Sequence, residues 1–179
     1  MIWQKKFVYG FVALLLACNF AFAQKQSNTK TKVFDKIIFH TGACYGFCPT
    51  YHLEINSAGK MKLHAETVYK EKTTQDQSNL DTKKIGYFLG ALDTKKIKAL
   101  ENAFLKMGAD TIVFNGPNCC DAPFVSLILY YGGKKKSFSA MFPPEQANLL
   151  INLLNQIYRE TKWQRSKEKF DIEAPEGMR

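Results

Sequence analysis

The chain has 179 residues and a formal net charge of +9 at pH 7, with 46% hydrophobic and 23% charged residues. These fractions are ordinary for a globular protein and exclude a collagen-like or low-complexity chain. Most of the positive charge comes from scattered lysines, and only the lysines at 134–136 form a run. Nucleic-acid binding favours clustered arginines with exposed aromatic residues, so we interpret the lysines as a solvated surface and expect no nucleic-acid partner.

The N-terminus has the pattern of an export signal. Two lysines precede an apolar run at 7–17 that is too short to span a bilayer comfortably, and Ala-Phe-Ala at 21–23 fits a signal-peptidase site. The sequence therefore predicts a signal peptide at 1–23 and a periplasmic or secreted protein with no membrane span after cleavage. The alternative is a lipoprotein, lipidated through Cys18.

The rest of the chain has the length of one domain, which can bury a core without needing disulfides. A polar stretch predicts a flexible arm at 24–32. Periodic segments predict a single domain at 33–163. The charged residues after it, which include Pro175, predict a disordered tail at 164–179.

Alternating apolar and polar residues predict strands and two β-hairpins. A first strand is expected at 33–41, and a further strand at 85–89 follows a polar loop at 68–84. The first hairpin turns at Asn56–Gly59, which fits a type I turn with a glycine bulge. The second turns at Gly132-Gly133. The expected cross-strand pairs are Leu53 with Leu63, Glu54 with Lys62, His52 with His64, Leu127 with Phe138, and Val125 with Ala140.

Two helices complete the prediction. Asp93 is a good N-cap for a helix that runs to Met107 and stops at Gly108. The second helix opens at Pro144 and is expected to end near Trp163. Half-buried strands with helices between them predict an α+β fold, with a mainly antiparallel sheet and both helices on its apolar face.

Cysteines dominate the candidate site. Export places a chain in an oxidising compartment, where disulfides are the default for Cys44, Cys48, Cys119 and Cys120. Four cysteines allow three pairings, and chain entropy alone favours a bridge that closes a long loop. The alternative is copper or thiol chemistry at Cys44 and Cys48. Their Cys-x-x-x-Cys-Pro spacing is similar to the motif of copper chaperones that serve cytochrome oxidase, although those proteins have a thioredoxin-like fold.

The stretch Cys44-x-Gly46-x-Cys48-Pro49-x-Tyr51, after an Ile-rich strand, resembles a bacterial family known only as domain of unknown function 6438. The resemblance extends from about 33 to 163 and implies a small exported or envelope-associated domain with no assigned activity. It also implies that the first cysteine pair forms a local bridge, since the family has that pair without the second. The family's matching positions are Cys44, Cys48, Gly46, Pro49, Tyr51, Asp121 and Pro123, whereas Cys120 stands where the family usually has threonine.

Histidines offer a second candidate site. His52 and His64 are expected to be cross-strand neighbours, and two imidazoles at that distance can bind zinc or copper. The competing interpretation is two solvated histidines on a lysine-rich face. The chain shows no Gly-x-Ser-x-Gly, phosphate-loop or His-Glu-x-x-His motif. We therefore predict a non-enzymatic binding or interaction module with an envelope or extracellular partner and no required cofactor, and the alternative is copper handling or thiol redox chemistry.

Overall fold

The computed structural model describes residues 32–114 and 122–175. The predictions for the signal peptide, Cys18, Cys119, Cys120 and Asp121 lie outside the described residues, as does nearly all of the arm. The elements are β1 (Lys36–Thr41), β2 (Thr50–Asn56), β3 (Lys60–Thr67), β4 (Gly86–Ala91), α1 (Thr94–Met107), β5 (Val125–Tyr131), β6 (Lys134–Ala140), α2 (Glu145–Glu160) and β7 (Gln164–Arg165), with a short 3-10 helix at Gln77–Asn79.

Within the described residues, seven strands form one sheet in the order β6-β5-β1-β2-β3-β4-β7, and every pair is antiparallel. The buried residues of both helices belong to the same core cluster as one face of the sheet. The predicted α+β class, with a mainly antiparallel sheet and helices on its apolar face, is confirmed. Among the described residues, no helix has the length and apolarity needed to cross a membrane.

The predicted registers of both hairpins are confirmed. Leu53 lies opposite Leu63, and His52 lies opposite His64. In the second hairpin Leu127 lies opposite Phe138. Because side chains alternate between faces along a strand, these registers decide which residues enter the core.

Helix α1 begins and ends where its caps predict. The Asp93 carboxylate accepts a hydrogen bond from the Lys96 backbone N–H at 2.7 Å, and Gly108 ends the helix in the left-handed conformation. The first hairpin packs under the start of α1, where a Cβ on Gly59 would lie 2.7 Å from the Ile97 side chain. Gly59 also has a φ of 77°, so its place needs glycine for two separate reasons.

Helix α2 is shorter than the sequence predicts, because it ends at Glu160 and not near Trp163. The chain then turns, and the Trp163 indole N–H donates to the Tyr158 carbonyl at 2.9 Å. The Trp163 ring lies against β4, where a Cβ on Gly90 would come within 2.8 Å of it. The aromatic residue near the end of the helical pattern therefore anchors the chain to the sheet after the helix has ended.

The prediction of a disordered tail is wrong for residues 164–175. Gln164 and Arg165 form β7 on the edge of β4, and the Ser166 N–H donates to the Tyr87 carbonyl at 2.8 Å. The Arg165 guanidinium also donates to the Lys83 carbonyl at 2.8 Å. The high charge of the segment favoured disorder. Its backbone nevertheless forms hydrogen bonds with β4, whose edge would otherwise be unpaired.

Candidate functional site

The cysteine corner between β1 and β2 is closed by a local disulfide. Cys44 is bonded to Cys48 with their Cα atoms 5.6 Å apart, inside the usual range for a bridge. The Thr41 hydroxyl donates to the Pro49 carbonyl at 2.8 Å and accepts the Tyr51 N–H at 3.2 Å. This is the local bridge that the family resemblance implies.

Tyr51 connects this corner to helix α2. Its side chain is fully buried, its ring stacks on Tyr158 with centroids 3.9 Å apart, and its hydroxyl donates to the Asn155 side-chain oxygen at 2.8 Å. Burial, and next the neighbouring Tyr158, raises the pKa of Tyr51 far above its usual value. Tyr51 is therefore a neutral packing and hydrogen-bonding residue.

A cleft of about 460 Å³ opens beside the corner. Phe47 and Pro49 of the cysteine corner line it together with residues of β3, β4, the loop between these strands and the end of α2. Phe47 meets Tyr69 edge to face at 5.4 Å. Aromatic and aliphatic residues make up most of the lining, which consists of Phe47, Pro49, Leu63, Val68, Tyr69, Lys83, Lys84, Phe88, Tyr158, Arg159, Thr161 and Trp163.

Three cations lie at this cleft. Lys84 is paired with Asp81 at 3.2 Å. For Lys83 and Arg159, no carboxylate of the described residues lies within 4 Å. The cleft thus combines an aromatic wall with positive charge that the described part of the chain leaves unneutralised.

The opposite face of the sheet carries a row of histidines. His40 on β1, His52 on β2 and His64 on β3 are direct cross-strand neighbours. Ring centroids are 4.9 Å apart between the first two and 5.6 Å apart between the last two. Tyr87 on β4 extends the row by stacking on His64 at 4.2 Å. The predicted neighbours His52 and His64 are therefore brought together, and His40 joins them.

The buried member of this histidine row is His40, which is 3% exposed. Burial, and secondly the neighbouring His52, lowers the pKa of His40 from 6.5 to about 4. Its Nδ1 lies 2.6 Å from the His52 Nδ1, so one ring must donate a proton to the other. The His40 Nε2 atom is buried without a hydrogen-bond partner among the described residues.

Glu66 lies beside the row, two residues after His64 on the same face of β3. Its Oε1 is 3.1 Å from the His52 Nε2 and 3.9 Å from the His64 Nδ1. Burial lowers the pKa of His64, which favours its neutral form. Glu66 was not predicted as a site residue, although the alternation of side chains along β3 places it on the same face as His64.

The C-terminal segment crosses this face of the sheet. The Phe170 ring meets Tyr87 edge to face at 5.2 Å, and Glu173 accepts a hydrogen bond from the Tyr130 hydroxyl at 2.6 Å. Glu173 also pairs with Lys135 at 2.8 Å. The segment predicted to be disordered thus contacts both ends of the histidine-bearing face.

The other motif positions lie near the corner. Gly46 donates its N–H to the Cys44 carbonyl at 2.8 Å. Pro123 comes just before β5, whose first residue, Val125, pairs with Thr41 at the end of β1. Pro123 therefore leads into the sheet at the same end as the disulfide, whereas Asp121 lies outside the described residues.

These features define a class of protein: a small α+β domain with one antiparallel sheet, helices on one face, and a disulfide in the turn between its first two strands. The model of one family, described as a domain of unknown function (DUF6438), matches residues 35–159. This is more than half of the chain, which therefore belongs to that family, and the assignment predicted from the signature is confirmed. A search of curated proteins found no significant match.

Replacing Cys44 with serine should lower the free energy of unfolding by about 2 kcal/mol, because the small loop loses its cross-link. For a domain of this size the melting temperature should fall by about 4–8 °C. Calorimetry without reductant measures the change, and reductant should produce a similar fall in the parent chain. The matched Cys119→Ser/Cys120→Ser variant should keep the parent's melting temperature. An unchanged value in Cys44→Ser would contradict a stabilising bridge.

Acidification should weaken the fold through His40. Because the pKa of His40 is lower in the folded chain than in the unfolded chain, its stabilising contribution is complete above pH 6.5 and is lost as pH falls toward 4, by up to about 1.4 kcal/mol per pH unit. The groups that act on its charge are His52, Glu66 and Glu173. Urea unfolding of chelator-treated protein at pH 7 and pH 5 should show a smaller pH-dependent loss in His40→Gln than in the parent. Equal losses would contradict this assignment.

Proposed function

We propose that this protein is an exported, non-enzymatic binding module and that its ligand site is the cleft beside the disulfide corner. The export-signal pattern at 1–23 supports the location. The Cys44–Cys48 bridge supports it too, because disulfides persist in oxidising compartments.

The single observation that carries the binding site is the lining of the cleft. An apolar concave site with a few placed polar groups is the usual form of a small-molecule site, and a volume of about 460 Å³ lies within the usual range. The lining residues are aromatic, aliphatic or cationic, apart from one threonine. Such a set binds and orients a ligand, and it lacks the paired acid and base groups on which hydrolytic chemistry depends.

The chemistry of the lining selects a class of ligand. Tyr158 and Trp163 offer faces for ring or chain packing, and Lys83 and Arg159 offer charge that the described residues do not neutralise. The complementary ligand is a small anion, a carboxylate, sulfonate or phosphate, attached to an aromatic or aliphatic body.

Copper handling through Cys44 and Cys48 is the alternative that the sequence leaves open. Thiolates are the ligands that Cu(I) prefers, and in the disulfide state these two sulfurs are not thiolates. This alternative therefore needs a reductant that opens the bridge first.

Export predicts a defined N-terminus. Protein recovered from the cells that make it should begin at Gln24, because cleavage follows Ala23. Intact mass and N-terminal sequencing measure this. A lipidated N-terminal Cys18 would support the lipoprotein alternative, and a chain that retains residues 1–23 would contradict a cleaved signal.

An anionic aromatic probe should bind the cleft. We expect 8-anilinonaphthalene-1-sulfonate to bind saturably, with one site per folded chain and enhanced fluorescence. The Lys83→Ala/Arg159→Ala variant should weaken binding about fivefold, on the basis of about 0.5 kcal/mol for each exposed charge. The neutral analogue N-phenyl-1-naphthylamine should bind parent and variant equally.

The matched control is Lys98→Ala, which removes an exposed cation of α1 away from the cleft. It should bind the probe as the parent does. Loss of binding in Trp163→Ala at unchanged helix content by circular dichroism would strengthen the assignment. Absence of saturable binding, or equal weakening by Lys98→Ala, would count against the cleft as the site.

A further inference from the structure

We propose that His52, His64 and Glu66 form a binding site for a first-row divalent cation, with zinc as the expected ion, on the face of the sheet opposite the helices. One ligand-type atom from each of the three residues lies within 4.8 Å of the others. Two imidazoles and one carboxylate are an established zinc donor set that leaves a fourth position open.

The observed separations are near those of a zinc site. Ligand atoms about 2.0–2.1 Å from a tetrahedral zinc lie about 3.3 Å from each other. The Glu66 Oε1 is 3.1 Å from the His52 Nε2 and 3.9 Å from the His64 Nδ1. The ligand atoms of His52 and His64 lie within 4.8 Å of each other, so the side chains must close in to hold one ion, while β2 and β3 fix their backbones.

His40 completes the arrangement as a positioning residue. A histidine that binds metal through one ring nitrogen usually donates the N–H of the other to a neighbouring acceptor. When the His52 Nε2 faces the ion, its Nδ1–H points at the His40 Nδ1, which is 2.6 Å away. Burial keeps His40 in place, so the His52 ring is held in the tautomer and orientation that a metal ligand requires.

The surroundings of Glu66 support a metal over a structural ion pair. The chain has 25 Lys and Arg residues but three histidines, and all three histidines lie in this row. Among the described residues, the basic groups within 4 Å of the Glu66 carboxylate are His52 and His64. Because no Lys or Arg among the described residues pairs with this carboxylate, a divalent cation bound by all three residues would supply its counter-charge.

The site is accessible and distinct from the cleft. The side chains of His52, His64 and Glu66 are 24%, 27% and 48% exposed, so an ion can enter and water can occupy a remaining position. Imidazole favours borderline ions such as zinc, whereas magnesium and calcium favour oxygen ligands. The cleft is lined by core-facing residues such as Leu63 and Phe88, so the two proposals can fail separately.

The test is zinc binding by the full chain, expressed without a polyhistidine tag. The Cys18→Ser/Cys119→Ser/Cys120→Ser background removes competing thiols, and chelator treatment followed by dialysis removes bound metal. Titration calorimetry with zinc chloride should show one ion per chain, and magnesium chloride should show none. In this background Glu66→Gln should weaken zinc binding at least tenfold, and His64→Gln about a hundredfold.

His40→Asn should weaken zinc binding by about 10–100-fold, the usual effect of losing a group that orients a ligand. Nitrogen-15 NMR of the imidazoles gives a readout that simple destabilisation would not move: zinc should shift His52 and His64 and leave His40 a neutral tautomer. Glu168→Gln, an exposed carboxylate elsewhere on the tail, should bind zinc as the parent does.

Zinc binding that persists unchanged in the Glu66→Gln and His64→Gln variants would overturn the site, and so would no uptake by the parent chain. A change of less than twofold in a folded His40→Asn variant would overturn the positioning role of His40.

Discussion

The structure depends on the antiparallel pairing of β1 with both β2 and β5. This makes β1 an interior strand of the sheet, and five of its six residues are buried. Ile37 and Phe39 face the helices, while Ile38 and His40 face the other side. Since a one-residue slip would exchange these two faces, the hydrophobic core and the histidine row depend on the same register.

The two faces of the sheet have different chemistry for this reason. On the helix side, apolar residues from the sheet and both helices form the core, and Tyr51 ties the disulfide corner to α2 through Asn155 and Tyr158. The cleft that we propose as the ligand site opens between the disulfide corner and the end of α2. On the opposite side, strand pairing brings His40, His52 and His64 into one row, and the last two form the proposed metal site with Glu66.

Local patterns predicted much of this arrangement. Alternation in 51–55 and 61–65 was enough to pair His52 with His64, because a hairpin's register follows from its turn. Caps were enough to place α1 between Asp93 and Gly108. The tail was mispredicted because its charge and its proline are typical of disordered segments. The pairing of β7 with the edge of β4 is a non-local interaction, which the composition of the tail does not reveal.

By itself, the sequence determined the α+β class, both hairpin registers, the first helix and the family signature, since each depends on residues close together in the chain. Only the tertiary structure decided that Cys44 pairs with Cys48, that His40 lies beside His52, and that Arg159 and Trp163 share a cleft with Phe47. The last two of these outcomes join residues from separate elements. They follow from the order of strands in the sheet and from the packing of α2, which periodicity in one segment does not encode.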